Sequence, residues 1–407
     1  MILEFSVENY LSIKDKVALS MEATSSGRLA QNMQRVNDFK ILKSAAIYGP
    51  NASGKSNIVK ALAFLSGMVK TSHNFNIDNP IPRIPFKLDD NYEKKPSKFD
   101  VVFLANDIKY QYGFSCDSKQ IIDEYLYYWP KGRITTVFSR KNDKFAFTSD
   151  KKQQKIIQKQ MTPNVLYLSR ATQLGYGLTK IPYEFIASLT LNLIPFPDIF
   201  TKIETDPNLT QRILEILKKS DFGRIDSLNF KKVKGRTVQL NFDAKVDQKA
   251  EPPKPVYEDK EMTDIKFIHT TGSGKKIEFS LVEESGGTQK MIFLLPYILD
   301  ILDRGGVLII DELETSLHPS ICWLLIKMFN NKSNHKAQLI FTTHNTNFLN
   351  GDEFRKDQLF ICSKKPDQST HLESFADYDL RDGTNFERAY LDGRIGGMPF
   401  VSESLIK

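Results

Sequence analysis

The sequence predicts an α/β fold in which a mixed sheet is accompanied by an antiparallel β subdomain and a short helical lobe. Three observations carry that prediction. A glycine-rich turn from Gly49 to Ser56 separates the apolar run Ala45-Ala46-Ile47-Tyr48 from Asn57 to Val69, whose apolar residues recur at helical spacing. Two later runs, Val307 to Ile310 and Gln338 to Phe341, end in polar residues, as buried parallel strands do at a sheet's carboxyl edge. Alternating residues near the start of the chain, and again from about Phe86 to Phe147, have the period of strands wetted on one face.

Taken in order, Leu3, Phe5 and Val7, then Val17, Leu19 and Met21, read as two strands joined around Leu11 to Lys16. The segments at Phe99 to Leu104, Lys109 to Phe114 and Ile121 to Leu126, parted by turn residues, read as a meander. From about Asp150 to Phe222 the chain becomes rich in Gln and Lys, with Ile213, Leu214, Ile216 and Leu217 on one helical face. A polar, proline-bearing stretch between Asp243 and Asp264 predicts an exposed loop. Strand-like alternation returns at Ile265 to Ile268 and Lys276 to Leu281, and Met291 to Leu302 reads as an apolar helix.

With 407 residues, of which 41% are hydrophobic and 26% charged, the chain has the composition of a globular protein with one large or two moderate cores. It opens without a basic leader, and no apolar run approaches the roughly 18 residues that span a bilayer, so no membrane partner and a cytoplasmic location are expected. Cys116, Cys322 and Cys362 lie far apart and predict buried free thiols. The net charge of +7 is thinly spread. Its densest cluster, Lys231-Lys232-Val233-Lys234-Gly235-Arg236, alternates with apolar residues and fits the wet face of a strand better than a phosphate-binding patch.

The turn Gly49-Pro50-Asn51-Ala52-Ser53-Gly54-Lys55-Ser56 fits G-x-x-x-x-G-K-[ST]. A strand that delivers such a turn onto a helix start, here through Asn57, aims several backbone N–H groups and the positive end of the helix dipole at one spot, where phosphate oxygens belong. Lys55 is expected to reach the β- and γ-phosphates, and Ser56 to ligate a magnesium ion bridging them. At the end of Val307 to Ile310, Asp311 is expected to hold that magnesium, directly or through water. Glu312 would polarise the water that attacks the γ-phosphorus.

Ser285-Gly286-Gly287 precedes a helix and offers a second place where backbone N–H groups converge. One nucleotide rarely needs two such sites in one chain. Either this site serves the nucleotide of a second copy, or Ser285 only caps its own helix. His344, after Thr342-Thr343, either contacts the γ-phosphate or the attacking water, or is structural.

In this order, Gly-Pro-Asn-Ala-Ser-Gly-Lys-Ser, Glu-Ser-Gly-Gly-Thr-Gln, Leu-Ile-Ile-Asp-Glu-Leu-Glu-Thr-Ser-Leu-His-Pro and Thr-Thr-His-Asn resemble the ABC-type ATPase heads (P-loop NTPases) of the RecF, SMC and OLD group. The opening Phe5 to Lys14 is similar to that group's first strand and turn. The closing Phe386 to Arg394, with Gly396-Gly397, resembles a narrower set, the standalone RloA-like or AbiL-like ATPases of bacterial abortive infection. The resemblance implies that residues 49–56 are the Walker A loop, Asp311 and Glu312 the Walker B pair and Ser285 to Gly287 a signature acting in trans. It further implies that Glu314 to Leu317 form the D-loop region, and that His344 is the switch histidine. A Q-loop glutamine is not assignable, the region to search being Ile84 to Leu88.

On this basis the chain is expected to divide into an N-terminal ATPase lobe (1–149), a helical lobe with an insertion (150–264) and a C-terminal ATPase lobe (265–407). It is expected to bind ATP and Mg2+, to hydrolyse ATP and to assemble around it as a homodimer or higher homo-oligomer, as the sensor or regulator of an anti-phage system acting with a separate nuclease or toxin subunit. The alternative is a RecF-like repair clamp working on DNA, and a transporter subunit is a more distant third. Only about sixty residues follow His344, too few for an appended nuclease domain.

Overall fold

The computed structural model describes residues 1–191, 199–220, 222–223, 225–239, 256–349, 351–379 and 384–396. They fall into two compact units: residues 1–191, 304–314 and 323–407 form the first, and residues 192–303 and 315–322 the second. The chain therefore does not divide at the expected positions 149 and 264. Residues 150–191, assigned from sequence to the helical lobe, belong to the first unit.

The first unit opens with β1 (Ile2–Glu8), β2 (Val17–Ser20), β3 (Met33–Val36), β4 (Phe39–Leu42) and β5 (Ser44–Tyr48), followed by α1 (Lys55–Thr71) and the short α2 (Asp90–Glu93). The meander comes next, as β6 (Ser97–Ala105), β7 (Ile108–Cys116), β8 (Ile121–Tyr128), β9 (Thr135–Lys141) and β10 (Lys144–Phe147). Three helices, α3 (Lys151–Gln158), α4 (Tyr167–Gln173) and α5 (Gly177–Ala187), then lead to β11 (Thr190–Leu191). The second unit holds α6 (Ile199–Thr205), α7 (Pro207–Lys219), β12 (Ile225–Gln239), β13 (Val256–Thr270), β14 (Lys276–Ser280) and nearly all of α8 (Gly286–Arg304). The chain continues through β15 (Gly306–Ile310), α9 (Pro319–Asn330), β16 (Ala337–Thr342), β17 (Leu359–Lys364), β18 (Thr370–Ser374) and α10 (Phe386–Leu391).

Two sheets organise the first unit. The meander joins β1 and β2 in a seven-stranded antiparallel sheet, β10-β9-β8-β7-β6-β1-β2. Its apolar face presents Phe5, Phe99, Val101, Phe114 and Phe138 to a core shared with Ile58, Leu62 and Leu65 of α1. The second sheet, β11-β15-β16-β5-β17-β18, is parallel except for β18. Its strands β5 and β16 are buried at every position, which is why they read as continuous apolar runs rather than as alternation. Gln338, fully buried in β16, stitches the sheets together: its amide donates to the carbonyls of Ile2 and Leu42, and its Oε1 accepts from Ile2 N–H at 2.6 Å.

In the second unit, α7 begins with the features expected of a helix start: Asp206 accepts from Leu209 N–H, and Pro207 occupies the first turn. Beside the helices stands a three-stranded sheet, β12-β13-β14, so this unit is not helical alone. The predicted loop from Asp243 to Asp264 is overturned from Val256 onward, where β13 pairs antiparallel with β12, in register from Val256 opposite Gln239 to Ile268 opposite Ser227. The remainder of that loop lies outside the described residues. Strand pairing wins there because Val233 faces Met262 and Phe230 faces Ile265, a cross-strand match that polarity along one strand does not reveal. The basic cluster sits on β12 as expected, and two of its four basic residues are paired, Lys231 with Glu278 at 2.5 Å and Lys232 with Glu204 at 2.7 Å.

One buried charge fixes the packing of helices on the meander. Helix α4 begins after Leu166, which has no side-chain oxygen to cap it, and Glu124 of β8 takes that role, accepting from the N–H groups of Tyr167 (2.7 Å) and Leu168 (2.9 Å). Tyr112 Oη donates to the same carboxylate, and Arg140 lies 4.0 Å away. Burial pushes the Glu124 carboxyl up, while Arg140 and the amides oppose that shift. Arg140 in turn donates to the carbonyls of Asn142, Val165 and Pro163. Replacing one partner strands the other charge in a dry site, so Arg140→Met is expected to cost about 3–5 kcal/mol in denaturant-unfolding free energy. The all-apolar repacking Glu124→Leu/Arg140→Met should cost less than that single change.

Candidate functional site

The glycine-rich turn follows β5 and closes onto the first turn of α1, the predicted strand-loop-helix order. Gly54, just before the helix, has φ of 106°, and a Cβ there would stand 2.0 Å from Thr370 Oγ1. At Gly49 a Cβ would meet the Cys362 carbonyl at 2.2 Å. Both positions therefore require glycine because neighbouring strands press on the loop from behind. That backing is continuous: Thr370 Oγ1 and Cys362 Sγ both donate to the Ser53 carbonyl, Ser12 Oγ bonds Thr370 Oγ1 at 2.6 Å, and Asn57 donates to Ser12 Oγ. Ser12 belongs to the turn after β1, where Leu11 holds a left-handed φ of 52°.

Lys55 is 7% exposed, and its Nζ donates to the loop carbonyls of Gly49 (2.6 Å) and Pro50 (3.0 Å). Burial pushes the Lys55 ammonium down from the ordinary lysine value, and Cys362, Glu312, Glu314 and Asp311 pull it back up. Lysine and acidic strand end thus share one electrostatic environment. The topology explains how: β16 lies between β5 and β15 in parallel register, so the ends of the three strands line one edge. Ser56 occupies the first turn of α1, at the same edge.

At that edge Thr342 bridges the two carboxylate residues. Its hydroxyl donates to Asp311 Oδ1 at 2.5 Å and accepts from Glu312 N–H at 2.8 Å. Glu312 holds φ of 52°, a left-handed conformation that costs a non-glycine residue about 1 kcal/mol and persists only where the surroundings enforce it. His344, after β16, is held by Glu314, whose Oε1 accepts from His344 N–H at 2.7 Å and lies 3.0 Å from its Nδ1. The imidazole is half exposed. The bridging role of Thr342 is not read from sequence, where the polar pair Thr342-Thr343 ending a buried strand is the available signal, and Glu314, expected only as part of the D-loop region, is found holding His344.

Ser285, Gly286 and Gly287 stand at the start of α8 in the second unit. Ser285 Oγ accepts from Thr288 N–H at 3.1 Å, the bond of a helix cap. A Cβ at Gly287 would lie 3.1 Å from the Ser316 carbonyl, and Lys290 donates to the Thr315 carbonyl, so the segment from Thr315, expected to form part of the D-loop region, packs against this helix start. Glu284, the preceding residue, is 2.6 Å from His269 Nε2.

A cavity of about 280 Å³ adjoins Asn57, lined by Leu11, Ser12, Ile84, Phe86 and Leu88 among others. Residues 84–88 supply its apolar wall and contain no glutamine, so the Q-loop position remains unfilled. A second cavity, of about 720 Å³, lies on the wet face of the seven-stranded sheet and includes none of the expected site residues. Its polar groups bond one another, as Tyr125 and Gln111 do to Asp100 and Ser115 to Asp123, which is how a solvated antiparallel face behaves.

A backed glycine loop, a buried lysine and a carboxylate pair on neighbouring parallel strand ends define a P-loop ATPase. Residues 44–350 match the family described as "AAA domain, putative AbiEii toxin, Type IV TA system", and the chain belongs to that family. This agrees with the expected ABC- or AAA-type ATPase of the RecF, SMC and OLD group. No curated protein matches the sequence. Similar solved structures include an Smc head bound to the C-winged helix domain of ScpA (14% identity, TM-score 0.43, covering 92% of this chain and 97% of that one). The SMC head domain of Thermotoga maritima matches at 12% identity and TM-score 0.40, covering 92% and 98%. The Pyrococcus furiosus Smc head with an extended coiled coil, bound to the C-terminal domain of ScpA, matches at 13% and 0.42, covering 97% and 98%. Among the described residues no helix is long and apolar enough to cross a membrane.

The crowding behind the loop gives a direct test. Gly54→Ala is expected to lower unfolding stability by about 1–3 kcal/mol and to weaken nucleotide binding, measured by thermal unfolding with and without ATP.

Proposed function

We propose that the protein binds and hydrolyses ATP, and that two copies clasp the nucleotide between them. The observation that carries this reading is the parallel order of β5, β16 and β15, which brings the glycine-rich turn with Lys55 and the Asp311-Glu312 pair, organised by Thr342, to one sheet edge. The loop's N–H groups and Lys55 receive the phosphates, Lys55 exchanging its bonds to the Gly49 and Pro50 carbonyls for phosphate oxygens. Ser53 Oγ, buried and without a partner among the described residues, is a polar atom the ligand can satisfy. The apolar wall of Ile84 and Leu88 beside Asn57 suits a nucleobase.

Ser56 and Asp311 would hold a magnesium ion, whose charge offsets that of the phosphates. Glu312 polarises the attacking water as general base, and His344, steadied by Glu314, donates hydrogen bonds toward the γ-phosphate. Ser285 and Gly287 act on the partner copy's γ-phosphate. For this Ser285 Oγ exchanges its cap bond to Thr288 for the nucleotide, so closure is favoured only while that group is present. A differential affinity of about 5.5 kcal/mol between closed and open forms inverts the population.

The family's description, a putative toxin of a toxin–antitoxin system, supports a bacterial defence setting for this ATPase. The resemblance to the RloA-like and AbiL-like ATPases extends this to an anti-phage regulator acting in the cytoplasm with a separate nuclease or toxin subunit. A RecF-like clamp on DNA is the competing reading. The pairing of Lys231 and Lys232 with Glu278 and Glu204 leaves less free positive charge for a phosphate backbone than the sequence alone offered.

Glu312→Gln should yield an ATP-dependent dimer by light scattering with turnover nearly abolished, and adding Ser285→Arg should return it to monomer while ATP binding persists. A Glu312→Gln variant that stays monomeric in saturating ATP sinks the clasp. ATPase stimulation by DNA, with affinity falling steeply as salt rises, would favour the clamp instead.

A further inference from the structure

Two buried polar atoms beside the switch histidine are left unmatched. Tyr48, the last residue of β5, is 1% exposed, and its hydroxyl has no partner among the described residues. Glu314 spends Oε1 on His344, and its Oε2 is buried and equally without a partner. One is a donor and the other an acceptor. Buried groups of this kind are rarely left alone, and a single ordered water can serve both.

A third group reaches the segment after His344 from residues 386–391. Helix α10 is capped by Asn385, which accepts from Arg388 N–H, and it buries Phe386, Ala389 and Tyr390. Its Glu387 accepts from Thr346 Oγ1 at 2.8 Å, two residues beyond His344. Burial and the charges of Glu314, Glu387 and Tyr390 keep the Tyr48 phenol well above its ordinary pKa, so it remains a donor. Glu314 holds His344 and Glu387 holds Thr346, so the short segment 344–346 is gripped by both carboxylates, and the Thr343 N–H bond to the Ile47 carbonyl places the end of β5 beside it.

We propose that Glu387, Tyr48 and Glu314 form a water-bridged polar relay that couples helix α10 to His344, making Glu387 and Tyr48 positioning residues for ATP hydrolysis. The relay rests on the ATPase reading above. It gives the closing segment, Phe386 to Leu391, a function in turnover rather than in packing alone. Displacement of α10, by a partner or by the chain itself, would then change the hydrolysis rate without touching the nucleotide.

The test is steady-state ATP hydrolysis by the full chain. Tyr48→Phe, which keeps the ring, and Glu387→Gln, which keeps the shape, should each lower kcat by about 10- to 100-fold. The KM for ATP should move by less than about twofold. Thr346→Val, which frees Glu387 without entering the core, should act in the same direction. The double variant should be no slower than the slower single, because both break one relay. Unchanged kcat in Tyr48→Phe and Glu387→Gln, while Lys55→Ala still abolishes turnover, overturns the relay and leaves the ATPase reading standing. Additive losses, or a KM that rises as kcat falls, also overturn it. A wild-type chain without turnover overturns the ATPase reading and the relay with it.

Discussion

Strand β5 is buried on both faces and hydrogen-bonded on both edges, by β16 and by β17, so its carboxyl end cannot shift without disrupting the sheet. The glycine-rich turn inherits that rigidity. It is then pressed from behind by Thr370 and Cys362, which approach so closely that no side chain fits at Gly49 or Gly54. A loop meant to present N–H groups to an anion gains from such backing, because donors already in place need no reorganisation when charge arrives.

The same logic extends along the sheet edge. Glu312 is held in a left-handed conformation, and the Thr342 hydroxyl that accepts its N–H also donates to Asp311. Strain at the Glu312 backbone and orientation of the Asp311 carboxylate are thus coupled through a single atom of the neighbouring strand β16. That arrangement distinguishes two adjacent acids more firmly than their order in sequence does, since Asp311 accepts from Thr342 while Glu312 is turned by a left-handed backbone.

Much of this was legible in the sequence because it depends on local pattern. The apolar run before Gly49 could be placed as a buried strand from its residues alone, as could the carboxylates after Ile310 and the alternation of the meander. What escaped prediction is non-local. Thr370 braces the loop across more than three hundred residues, Gln338 joins two sheets from inside a strand, and Glu124 caps a helix that its own sequence leaves uncapped. The predicted loop ahead of Asp264 failed for the same reason: polar composition describes one strand, whereas β13 is held by its partner β12.

The closing segment belongs with these non-local features. Residues 386–391 form a helix too short to persist by propensity, since an isolated helix of fewer than about 12 residues is marginal in water. It is held by burial of Phe386 and Tyr390, by the Asn385 cap and by Glu387 on Thr346. Glu387 differs from Phe386 and Tyr390 in being only partly buried and in reaching outward to Thr346, two residues from His344. A short element tied in this way to the segment after β16 can have an effect out of proportion to its area if that segment serves the nucleotide.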